Sequence, residues 1–142
     1  MWKPRTMGMA LLGLAAAGCG MMPKEEPPPK PFVGTRWQVM LELPLPGEQP
    51  YVRFGDGRME GFGGCNHINA RYLQDSVGTR FIALSGMSAS KRLCDPAVMA
   101  TEHRILEILG SVSSYTIIVD DMQMSGSAGS LRLRALPPLV TR

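Results

Sequence analysis

The dipeptide Asp56-Gly57 lies between two short segments, Tyr51 to Phe54 and Arg58 to Phe62, and constrains the fold more tightly than any other local feature. Both residues tolerate the positive φ angles of a two-residue hairpin turn, so the flanking segments are expected to pair as antiparallel strands. The same pattern recurs along the chain. Trp37, Val39, Leu41 and Leu43 alternate with Gln38, Met40 and Glu42, the period of a strand with one buried face, until Pro44-Leu45-Pro46-Gly47 stops it. Thr79 to Leu84, Tyr115 to Val119, Met122 to Ser125 and Ser130 to Ala135 read as further short strands. Turns at Asp120-Asp121 and Gly126 to Gly129 join the last three into a meander.

One helix interrupts the strands. Asp95 can cap it, Pro96 suits its first turn, and Gly110 can end it in a left-handed conformation. Val98, Ile105, Leu106 and Leu109 form one apolar stripe that must pack on the sheet. Glu102 falls within that stripe, where an unpaired carboxylate is expensive. Its two readings are a structural carboxylate satisfied by loop amides, Arg71 or Asn66, and a catalytic acid or base with a raised pKa.

The N-terminus points to export. Lys3 and Arg5 precede an apolar run from Met7 to Ala17, too short for the roughly 20 residues of a membrane-spanning helix, and the small residues Ala16-Ala17-Gly18 follow. Leu14, Ala16, Ala17, Gly18 and Cys19 together resemble the lipobox of bacterial lipoproteins, which implies acylation of Cys19. Gly20 after the Cys implies sorting to the outer membrane. Loss of Lys3 and Arg5 with the signal lowers the formal net charge from +3 to +1. The remaining charges are mixed in sign with no basic run longer than Lys91-Arg92, which argues against a nucleic-acid partner. The proline-rich segment that follows favours extended polyproline II and reads as a tether. The expected organisation is a signal peptide at 1–18, a lipidated linker at 19–32 and one domain at 33–142.

The densest chemistry is Gly61-Phe62-Gly63-Gly64-Cys65-Asn66-His67, with Cys94 placed just before the helix. The clustered glycines imply a sharp backbone turn or a close approach. Gly64-Cys65-Asn66, then Tyr72, Ser88-Ala89-Ser90, Cys94, Glu102, Leu109, Tyr115 and the terminal meander resemble the META domain of HslJ-like proteins. The resemblance runs from about Gly34 to Ala135, with Ser90 where that family usually has Thr and Arg92 where it usually has Met. It implies an α+β, mainly β fold: a small antiparallel, partly open β-barrel with one packed helix. It also implies links to heat-shock response, envelope function and resistance to novobiocin, without an established enzymatic activity.

With Cys19 acylated, Cys65 and Cys94 are the thiols left in an oxidising compartment, and a disulfide is the simple expectation. It would close a loop of about 30 residues and contribute about 3 kcal/mol. Zinc is the rival, since Cys65, His67, Cys94 and His103 have a suitable composition, but their spacing is not a recurrent zinc pattern. A Cys65 nucleophile with His67 as base is a third reading, without identifiable oxyanion or orienting groups. Met122 and Met124 could suggest copper, although core packing accounts for them better. Asn66 is expected to bond local backbone in its turn.

The sequence therefore points to an outer-membrane lipoprotein, anchored on the periplasmic face through Cys19, with a non-enzymatic domain that needs no cofactor or metal. Such a domain would bind another envelope component, whether a protein or the cell wall. The alternatives are an envelope enzyme using Cys65/His67 or Glu102, and a binder of a small apolar ligand. The last would need a hollow barrel instead of one filled by Phe54, Phe62, Phe81 and Leu133.

Overall fold

The computed structural model describes residues 22–75 and 80–139, together with positions 2, 4, 8, 12, 13 and 18–20. The lipobox positions Leu14, Ala16 and Ala17 and the expected strand start Thr79 lie outside the described residues. Eight strands and one helix follow in the order β1 (Arg36–Val39), β2 (Tyr51–Gly55), β3 (Arg58–Phe62), β4 (His67–Gln74), β5 (Ile82–Ala89), α1 (Pro96–Ser111), β6 (Val112–Ile118), β7 (Asp121–Gly126) and β8 (Gly129–Ala135). They form one sheet in the order β5-β4-β3-β2-β1-β8-β7-β6, with every neighbouring pair antiparallel. The sheet curls until its two ends approach. There Phe81 bridges Ser114 and the Tyr115 amide donates to the Arg80 carbonyl at 3.0 Å. The result is the mainly β, partly open barrel with one packed helix.

The hairpin at Asp56-Gly57 forms as its residues dictate. Gly55 pairs with Arg58, and the two turn residues have φ of 51° and 74°, the paired positive angles that match the twist of the strands. The terminal meander of β6, β7 and β8 is equally local. Its first turn is shifted, because Ile118 pairs with Asp121 and leaves Val119-Asp120 as the loop. Val119 takes φ 55°, an unusual angle for a β-branched residue. Tertiary bonds hold it: the Lys30 amide donates to the Val119 carbonyl and the Ala135 amide to the Asp120 carbonyl, both at 2.8 Å.

Several expected boundaries move. The first strand ends at Val39 instead of Leu43, since the Met40 amide turns to the Arg132 carbonyl and the Pro-rich segment leads Leu43 into solvent. β4 is an additional strand, with Ile68, Ala70 and Tyr72 facing in and His67, Asn69 and Arg71 facing out. β5 continues past Leu84 to Ala89. Gly110 does not end the helix. It stays helical, and α1 passes straight into β6 at Val112, with the Ser111 hydroxyl donating to the Ile108 carbonyl and accepting the Ala128 amide. Asp95 precedes the helix without a side-chain capping bond.

The barrel interior is filled. Trp37, Phe54, Met59, Ile82, Met124 and Leu133 are nearly inaccessible. Met122 and Met124 are thus core residues. Phe62 corrects an expectation: it is buried, but it pairs with the outward His67 and stands outside the barrel core, because the side chains of directly paired residues share a face. Phe81 corrects a second expectation: it is 44% exposed at the closing bridge, because Ile82 takes the inward position of that strand. Phe32 corrects another. It belongs to the core, stacked on Phe54 with ring centroids 4.3 Å apart and close to Tyr72 and Tyr115, while Trp37 Nε1 donates to its carbonyl. The chain is therefore docked from Lys30 onward, and the end of the proline-rich segment belongs to the domain. The reason is that one aromatic ring, inserted among three others, is enough to anchor it.

Candidate functional site: the Gly-Cys-Asn corner

The segment between β3 and β4 is a corner whose backbone has little freedom. Gly64 has φ +116°, and a Cβ built on Gly63 would lie 2.7 Å from the Glu102 side chain. A side chain at Gly63 would therefore push the helix away. This close approach lets Glu102, buried on α1, reach the corner. Its Oε2 accepts the Cys65 amide at 2.8 Å and the Asn66 amide at 2.6 Å, and its Oε1 accepts Asn66 Nδ2 at 2.7 Å. The carboxylate takes its partners from loop amides and from Asn66. Arg71 is elsewhere, exposed on the outer face of β4.

Asn66 reaches much farther than its own turn. Nδ2 also donates to the Arg92 carbonyl at 3.2 Å, while Oδ1 accepts the Arg92 amide at 2.6 Å and the Ser90 hydroxyl at 3.0 Å. All donors and acceptors of the side-chain amide are engaged. The expected local turn bonds give way because β4 continues directly from the corner and brings the 90–92 loop alongside. There the Ser90 amide donates to the His67 carbonyl, and the His67 amide donates to Ser90 Oγ. Ser90 acts through its hydroxyl, which a Thr shares, and Arg92 only through its backbone, so neither departure from the family pattern disturbs the cluster.

Cys65 and Cys94 are joined in a disulfide, with Cα atoms 5.9 Å apart. The bridge ties the corner to the residues that start α1, so three links converge within a few residues: the disulfide, the Glu102 carboxylate and the Asn66 amide. While the bridge stands, neither sulfur is a thiolate available to zinc or for attack on a substrate. His67 is exposed on the outer side of β4 with its ring 5.7 Å from that of Phe62, and His103 is exposed on α1. Among the described residues no group of three or more His, Cys, Asp or Glu side chains is placed to hold a metal. Tyr72 is a core residue, packed edge-on to Phe54 at 5.2 Å. Cys19 is exposed with a free thiol, remote in sequence from all of these.

Ser90 and Arg92 stand out in the sequence only through the family resemblance, which does not show that they bond to Asn66. A hydroxyl within a Ser-rich stretch four residues before Cys94 was the available hint. Two open grooves lie on the outside of the sheet, of about 660 Å³ over β2 to β5 and about 470 Å³ beside the C-terminal Leu136 to Leu139.

Comparison with known proteins agrees with this architecture. A solution NMR structure of a protein from Burkholderia xenovorans superposes with a TM-score of 0.60 at 15% identity, covering 82% of this chain and 97% of that one. A second NMR structure gives a TM-score of 0.56 at 13% identity, covering 70% and 87%. At these identities the likeness shows the fold alone. No curated protein matches the sequence. The META domain model matches residues 31–136, which begins at the docked Phe32 segment and ends just after β8. The chain belongs to the META domain family.

Proposed function

We propose that this chain is a lipoprotein anchored through Cys19 to the periplasmic face of the outer membrane, and that its META domain is a non-enzymatic binding module serving envelope maintenance, stress response or antibiotic tolerance. The observation that carries the non-catalytic reading is the saturation of the corner cluster. Both Glu102 oxygens accept hydrogen bonds from within the protein, every donor and acceptor of the Asn66 side chain is engaged there, and both sulfurs are in the bridge. A general acid or nucleophile needs a free proton or lone pair directed at a substrate, and this cluster directs its groups at itself.

The anchor reading is supported by the exposed Cys19 and by the 22–29 stretch, which forms no helix or strand before Lys30 docks. At about 3.1 Å per residue of polyproline II, the segment from 20 to 29 would hold the domain roughly 30 Å from an acylated Cys19. No helix among the described residues is long and apolar enough to cross a membrane.

The test is intact mass of the protein from its host's membranes, with and without reductant and alkylation. A chain beginning at Cys19 with a diacyl or triacyl increment, lacking two protons until reduced, is expected. An unacylated Cys19 overturns the anchor. A free, alkylated Cys65 in the unreduced protein overturns the structural reading of the corner and favours an enzyme built on Cys65 and His67.

A further inference from the structure

The outer face of the sheet carries a second polar group, built on opposite terms. The register sets Arg58 directly across from Arg71, Glu60 across from Asn69, Asn69 across from Ser88 and Arg71 across from Ser85. These side chains are exposed on the side of the sheet opposite Met59, Ala70 and Tyr72. Arg53, Arg58, Glu60, Asn69, Arg71 and Ser88 line the groove of about 660 Å³, which is open at Gly86.

Like charges directly opposite on paired strands repel. Here no ion pair within the described residues relieves the repulsion. Glu60 is engaged with Arg53 at 3.7 Å, and no carboxylate of the described residues lies within 4 Å of either Arg58 or Arg71. Neither guanidinium hydrogen-bonds to the described residues, whereas the exposed Arg104 and Arg134 each pair with an acid. Asp56 lines the groove at its turn end without touching either arginine.

The geometry points to a binding site for a phosphate ester of a small polyol, such as a sugar phosphate, with the phosphate bridging Arg58 and Arg71. Two guanidinium forks present paired donors that match phosphate oxygens. One row along, Asn69, Ser88 and Glu60 offer both donors and acceptors to hydroxyl groups. The volume lies within the range of small-molecule sites. Glu60 and Asp56 limit how much negative charge the groove accepts, which favours one phosphate flanked by neutral hydroxyls over a polyanionic surface. This site deepens the binding-module reading and rests on it only in that the domain binds its ligand without transforming it.

The test is calorimetric titration of the full mature chain with glucose 1-phosphate, inorganic phosphate, glucose and phosphatidylglycerol vesicles. Glucose 1-phosphate is expected to bind saturably and more weakly as salt rises, more tightly than inorganic phosphate, with no binding of glucose. Arg58→Gln and Arg71→Gln should each weaken it by about tenfold or more, while Arg132→Gln on β8 leaves it unchanged. Thermal melts give a second readout: glucose 1-phosphate should raise the midpoint of the wild type and not that of Arg71→Gln. Absence of binding, equal affinity for inorganic phosphate, binding to vesicles alone, or indifference to both arginine variants would each overturn the site. Failure of Cys19 acylation would remove the anchor without affecting these titrations.

Discussion

The corner around Glu102 and the outer face around Arg58 are both polar clusters on the same few strands, yet they differ in every property that separates structure from recognition. At the corner, a buried carboxylate and a buried amide have all their partners inside the protein. On the outer face, two exposed guanidinium groups oppose each other with no acid of the described residues in contact. A saturated buried cluster restricts the chain to one arrangement, since losing any member leaves a desolvated group unpaired. An exposed like-charge pair without an acid in contact adds no stability to the fold and leaves its donors to solvent. Density of chemistry along the sequence is thus a poor guide to free bonding groups here, because the densest motif is the internally bonded one.

The difference can be tested most severely at Glu102. Glu102→Ala leaves the Cys65 and Asn66 backbone amides buried without an acceptor, and Asn66 Nδ2 with only the Arg92 carbonyl, and should cost about 3–5 kcal/mol in urea unfolding. Glu107→Ala, which removes only an exposed pair with Arg104, should cost under about 0.5 kcal/mol. Equal losses would erase the distinction between the two clusters. Next in size, Cys65→Ser with Cys94→Ser should lower stability by about 3 kcal/mol under non-reducing conditions, with wild type and variant converging once reductant is added. Asn66→Ala should cost about 2 kcal/mol and raise amide exchange at Arg92, whose N–H loses its acceptor. At the other cluster the sign reverses. Arg71→Gln should raise stability by up to about 0.5 kcal/mol, because it removes a like-charge pair. A clear loss there would mean that Arg71 holds the fold and would weaken the contrast.

Legibility varied with the range of the contacts. The Asp56-Gly57 hairpin could be read residue by residue because its turn angles and pairing are settled within a few positions. The strands of the meander were legible in the same way, but its first turn lies one residue earlier than expected, at Val119-Asp120, and in the apolar stripe of α1 Ile108 joins Val98, Ile105 and Leu109 as buried while Leu106 is half-buried. β4 escaped notice although Ile68, Ala70 and Tyr72 alternate with His67, Asn69 and Arg71, because small Ala70 dilutes the inward signal and the Gly-Cys-Asn motif just before it suggests a loop. Of the corner, the burial of Glu102 followed from its place on the helix. Its partners could not be read so narrowly, since Cys65 and Asn66 lie 37 and 36 residues away. Arg58 and Arg71 look unremarkable in sequence, and their opposition exists only through the β3–β4 register.

By itself the sequence determined the elements that close on their own neighbours: the hairpin turn, the period of each buried strand face, the helix and its apolar stripe, and the presence of two cysteines suited to a bridge. Tertiary structure alone decided that Phe32 leaves the proline-rich segment for the core, that Val119 accepts a positive φ, that Gly110 remains helical, and that Asn66 bonds across to the 90–92 loop. The physical reason is common to all four. Local preferences of a few tenths to about 1 kcal/mol per residue are overridden when burial of an aromatic ring or satisfaction of a desolvated polar group is worth more, and those gains depend on which distant residues the fold brings within reach.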